Sequence, residues 1–123
     1  GGYWDGLSSS FYLIPDGSSV PQRNVHRSFV FTDLGDALEG EYAFHEAIEA
    51  YQQAIQLTPY MVHNYIKLAD VYVKIGKIEE GISILKRSKK LLAKDDIEIV
   101  NVKIADLADK LARGYVYKPR KKQ

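Results

Sequence analysis

The sequence predicts an all-α fold of antiparallel helix pairs, two repeats followed by a C-terminal capping helix, with an extended arm in front. Three observations carry that expectation. Residue character returns after 34 positions from Ser28 to Ala93, an apolar stripe of helical period follows it, and the first 27 residues are too rich in Gly, Ser and Pro to be helix.

The recurrence is specific in its residues. Phe31 returns as Tyr65, Leu34 as Leu68, Gly35 as Ala69 and Leu38 as Tyr72; then Phe44 returns as Ile78, Ala47 as Gly81, Tyr51 as Leu85 and Ala54 as Ser88. A large residue, a Leu-Gly or Leu-Ala pair three positions on and a second large residue mark one helix. Small and aromatic residues mark the next, and Pro59 closes the unit. This arrangement resembles the tetratricopeptide repeat, whose resemblance covers roughly half the chain and implies a scaffold for binding proteins or peptides. Leu34, Leu68, Tyr72, Tyr51 and Leu85 are the expected buried positions.

Element by element, the first helix is expected from Ser28, an N-cap residue type, to Leu38 or Glu39, and its partner from Tyr42 to Leu57. The family places its turn glycine where Tyr42 stands, with Gly40 two residues early, so this turn is expected to be reshaped; Gly76 occupies the equivalent place in the second repeat. A last helix from Asp95 or Asp96 to Arg113 presents Ile97, Val100, Ile104, Leu107 and Leu111 on one stripe and stops at Gly114. It reads as the solvating helix that ends such arrays, or as a third repeat that has lost its second helix.

The arm, residues 1–27, is not a typical linker, because Tyr3, Trp4, Leu7, Phe11, Tyr12, Leu13 and Ile14 would reward burial. Phe11 to Ile14 suits a short strand ended by the Pro15-Asp16-Gly17 turn. Tyr3, Trp4, Phe11, Tyr12 and Ile14 are the expected anchoring residues. They either cap the chain's own first helix pair or reach onto a neighbouring subunit, and the second reading is preferred here. The tail, residues 114–123, is basic; Tyr115 and Tyr117 alternate with Val116 as an edge strand would, and its charges are either solvated or set against an anionic surface.

Charge is divided unevenly. Gly1 to Met61 carries 2 basic and 8 acidic residues, a balance of −6, whereas Val62 to Gln123 carries 15 basic and 8 acidic, a balance of +7. Opposite charge at the two ends favours contact with another copy or with two different partners.

No chemistry is evident. The three His residues lie on different elements, Glu41, His45 and Glu49 read as a solvated helix face, and there is no phosphate loop, nucleophile elbow or metal-spaced motif. An enzyme is not expected, nor a cofactor, a metal or a small-molecule substrate, and nucleic acid ranks well behind protein as partner. No apolar run is long enough to span a membrane. Gly1 in place of Met points either to a removed leader, hence export or the cell envelope, or to a cloning remnant.

The resemblance also implies a concave groove lined by first-helix residues: Phe29, Thr32 and Asp36 in one repeat, and His63, Ile66, Lys67, Asp70 and Val73 in the next. The co-chaperone members that clamp C-terminal carboxylates carry a Lys and an Asn where this chain has Thr32 and Asp36, so a carboxylate clamp is not expected. Two roles follow: a structural or accessory subunit of a larger assembly, a filament of identical copies included, held by the arm; or a soluble adaptor that binds a partner peptide transiently.

Overall fold

A computed structural model describes residues 11–119. A two-stranded hairpin comes first, β1 (Phe11–Leu13) antiparallel to β2 (Ser19–Pro21), with Tyr12 opposite Val20. The Pro15-Asp16-Gly17 stretch does not simply end a strand but turns the chain into a second one. Asp16 accepts hydrogen bonds from the Ser18 amide and hydroxyl at 2.9 and 2.6 Å, and Gly17 takes φ 96°, a left-handed angle that glycine adopts without steric cost.

Five helices follow among the described residues: α1 (Asn24–Gly40), α2 (Phe44–Leu57), α3 (Val62–Lys74), α4 (Ile78–Ser88) and α5 (Lys94–Ala112), with a 3-10 turn at Lys89–Leu91. Helices α1 and α2 form one antiparallel pair, α3 and α4 the next, and α5 packs on α3 and α4. The first helix therefore begins four residues before Ser28. Ser28 is not its cap: it is fully buried, and its hydroxyl lies 2.6 Å from that of Thr58 and 3.3 Å from the Ala54 carbonyl. A hydroxyl that ties α1 to the end of α2 is unavailable to cap its own helix.

The turn at Tyr42 corrects a second expectation, because it is not reshaped. Tyr42 takes φ 62°, close to the φ 81° of Gly76 one repeat later. Both turns close with the same pair of backbone bonds, Ala43 N–H to Leu38 and Tyr42 N–H to Glu39 in one, Lys77 N–H to Tyr72 and Gly76 N–H to Val73 in the other. Each is a helix end of the Schellman type, and a third stands at Gly114. The same backbone is thus held at Tyr42 against the steric cost of a side chain there, with its ring edge-on to Phe44 at 6.0 Å.

Two apolar clusters hold the helices together. Ala47, Ile48, Tyr51, Leu68 and Val71 join α2 to α3; Tyr65, Ala69, Val73, Ile78, Leu85, Leu92, Val100 and Leu107 join α3, α4 and α5. Close approach depends on small residues. A Cβ on Gly35 would lie 2.5 Å from the Tyr51 ring, and one on Gly81 would lie 3.2 Å from the Ala69 carbonyl oxygen. Of the expected core, Leu68, Tyr51 and Leu85 are buried, whereas Tyr72 is half-buried and Leu34 is not core at all. Leu34 is 45% exposed against 2% for Leu68. The difference is a neighbour: α2 lies over the Leu68 side of α3, and no described element lies over the Leu34 side of α1. Leu111, at the end of the α5 stripe, is likewise exposed.

Candidate functional site

The first helices of successive repeats, α1, α3 and α5, are joined by ion pairs across one face of the array. Asp36 of α1 accepts from Lys67 of α3 at 2.9 Å, Glu39 pairs with Lys74, and Asp70 of α3 pairs with Lys103 of α5 at 2.6 Å. Asp36 and Asp70 are one repeat apart, so the same acid makes the same kind of bridge to the next first helix in each unit. From beneath, the Tyr51 hydroxyl reaches two of the α1 acids, 2.6 Å from Asp36 and 2.8 Å from Glu39.

These contacts set the titration of the face. Burial would raise the Asp36 carboxyl, but the Lys67 ammonium and the Tyr51 hydroxyl, with His63 nearby, outweigh it and hold the group below its ordinary range. Burial and the two carboxylate acceptors push the Tyr51 hydroxyl well up, so it stays a donor. For Lys74 burial works downward, and its bond to Glu39 more than reverses this.

Of the residues the sequence assigned to the groove, Asp36, His63, Lys67 and Asp70 are brought together on this face. Phe29 is exposed, and Ile66 is partly buried against the second core cluster. Thr32 does not line the groove, whereas Val73, though buried, lines the cavity at the end of this face. Thr32 is buried and lies 2.7 Å from Asn64 and 3.1 Å from the Ser28 carbonyl, and Val73 belongs to the core with Leu85 and Leu107. Thr32 faces the next first helix through Asn64, a direction that a spacing of three or four residues does not separate from the groove side.

Residues the sequence assignment left out complete the face. Residues 115–119 return across it rather than forming a strand. Tyr117 meets Phe44 edge-on at 6.0 Å, and the Lys74 ammonium sits 5.4 Å from the Tyr117 ring centroid and 5.8 Å from that of Phe44. A cavity of about 230 Å³ remains beneath it, lined by Glu39, Asp70, Lys74, Lys110, Tyr115 and Tyr117 among others. Only the aromatic character of Tyr117 in a basic tail hinted at this return.

The arm is placed in part. Tyr12 stacks on Tyr60 of the same chain at 3.7 Å and 9°, and Ile14 is fully buried, so these two anchors are seated on their own chain. Phe11 remains half exposed; Tyr3 and Trp4 lie outside the described residues.

A second surface was not read from the sequence. On the outer side of the first pair, Phe31, Leu34, Leu38 and Ala50 floor a groove of about 590 Å³ whose edge carries Glu46 and Glu49. Val30 beside it is 60% exposed. Among the described residues no three His, Asp or Glu side chains converge on a metal-sized site. Glu41 is separated from His45 and Glu49 because α2 starts only at Phe44.

Stacked helix pairs with a ladder of bridges between first helices define a helical-repeat interaction module. The tetratricopeptide repeat family profile matches residues 38–103, more than half of the chain, and the chain belongs to that family. Its repeats serve as protein–protein interaction modules. No curated protein and no solved structure matches the chain. Among the described residues no helix is long and apolar enough to cross a membrane.

Proposed function

We propose that this chain is a non-enzymatic accessory subunit of a larger protein assembly, docked through the outer face of its first helix pair. The observation that carries the reading is Leu34, 45% exposed at the repeat position where Leu68 is 2% exposed. A repeat array buries each unit against its neighbour, and an end that lacks a polar cap calls for one. Covering a leucine of this kind is favourable by ~1.5–3 kcal/mol when burial is complete. The adjoining Val30, Phe31 and Leu38 enlarge the patch.

The alternative of a transient peptide adaptor is less well supported. The face such a peptide would use is already joined by Asp36–Lys67, Glu39–Lys74 and Asp70–Lys103, and Tyr117 lies across its end. A peptide would have to displace both. The experiment is a photo-reactive residue at position 34, with a control at Lys86, in cells that produce the protein. Cross-links from position 34 into a species that co-sediments far above 13.9 kDa are expected. A protein that sediments as a monomer in such extracts, with no cross-link at either position, sinks the reading.

A further inference from the structure

A second groove lies one helix over from the first and carries the opposite charge. Between α2 and α4, Ile55, Ile84 and Leu91 floor a groove of about 540 Å³ edged by Arg87 and Lys90. The outer groove of about 590 Å³ has its apolar floor between α1 and α2 and is edged by Glu46 and Glu49. Gln52 lines both, so the exposed ridge of α2 stands between an acidic-edged groove and a basic-edged one.

Among the described residues these edge charges form no ion pairs. Among the described residues, Glu46, Glu49 and Arg87 join no salt bridge, while every acid on the ladder face of α1 and α3 does. Lys90 acts only at longer range, lowering the Asp16 carboxyl after the Ser18 hydrogen bonds have done so. The wider pattern agrees, since the half of the chain up to Met61 has a balance of −6 and the remainder +7.

Resting on the reading that the outer face of the first pair is a docking surface, we infer that its occupant is a second copy of this chain. The α2 ridge of one copy seats in the basic-edged α2/α4 groove of the other, which sets Glu46 and Glu49 against Arg87 and Lys90. Helical ridges of one surface entering the grooves of another is the ordinary way helices pack. The apolar floors supply the adhesion as they leave water, and the charges select the pairing, because like charges set opposite each other cost several kcal/mol. A second copy supplies the acidic-edged ridge and the basic-edged groove on the same molecule.

Charge exchange on the full chain tests this. Sedimentation of the purified wild type over the micromolar range should give a species heavier than 13.9 kDa, weakened between 0.1 M and 1 M salt as the screening length falls from about 10 Å to about 3 Å. The double variants Glu46→Lys/Glu49→Lys and Arg87→Glu/Lys90→Glu should each associate at least ~10-fold more weakly, and an equimolar mixture of the two should recover wild-type association. Recovery on mixing cannot come from misfolded chains, and a circular dichroism spectrum of each variant checks the fold directly. A wild type that stays monomeric, or a mixture no tighter than its components, overturns the second copy. If position 34 nonetheless cross-links to another protein in extracts, the docking surface stands and only the identity of its occupant falls; loss of both removes the docking reading as well.

Discussion

One methyl group added at Gly35 tests how the first helix pair is held together. The new Cβ would lie 2.5, 2.7 and 2.8 Å from three carbons of the Tyr51 ring, all well inside contact distance. The ring has little room to retreat, since Tyr51 is fully buried and its hydroxyl is held by Asp36 and Glu39. Overpacking of this kind costs ~1–3 kcal/mol, and the gain in helix propensity from Gly to Ala returns up to ~1 kcal/mol. Gly35→Ala should therefore destabilise the fold by ~1–2 kcal/mol net. The second repeat contains the compensated arrangement, with Ala69 and Leu85 where the first has Gly35 and Tyr51. Tyr51→Leu alone should also be destabilising, because it removes the two hydroxyl bonds and leaves Gly35 facing a gap. The double variant should be more stable than the two single losses added together, by a coupling of ~1 kcal/mol or more. Urea unfolding of the four proteins, followed by helical circular dichroism, measures the cycle. A Gly35→Ala chain as stable as wild type, or a cycle with no coupling, would refute the argument that this glycine exists for the Tyr51 ring.

Leu68→Ala should cost ~2–5 kcal/mol as a buried leucine does, and Leu34→Ala within about 0.5 kcal/mol of nothing in the isolated chain; equal losses in urea unfolding would contradict the unequal cover of the two positions. Gly76→Ala should cost ~1 kcal/mol from backbone alone, since φ is 81° and nothing lies within 4 Å of the added Cβ; unchanged stability would refute the strain assigned to that turn, and by analogy to Tyr42. For pH, the Asp36 carboxyl is held below its ordinary value in the folded state. Its contribution is thus complete above the unfolded-state value near ~4 and is lost as pH falls through the lower folded value. Asp36→Asn should flatten the acid limb of a stability-against-pH curve, and an unaltered limb would show that the bridge to Lys67 carries no linkage.

The face of first-helix charges was legible in part because its residues repeat. Asp36 and Asp70 are related by the same 34-residue step as Leu34 and Leu68, and Lys67 stands on the next first helix as the scaffold requires. Thr32 was not separable from them, because one turn of helix carries both a groove position and a core position. Only the direction of the neighbouring helix distinguishes the two. The Ser28 cap failed for a similar reason, since a hydroxyl suited to a helix start is equally suited to a buried bond across α1 and α2.

What the sequence determined by itself is what local chemistry controls: helices of a given period, small residues where backbones cross, the end of α5 at Gly114, and through the 34-residue step the order in which helix pairs stack. The tertiary structure decided everything that depends on what lies opposite. It left Leu34 open and Leu68 covered, held Tyr42 in a left-handed angle through the same closing bonds as Gly76, and laid Tyr117 against Phe44 and Lys74. The physical reason is the same in each case. Burial, strain and pairing are properties of two surfaces together, and a repeat pattern describes only one of them.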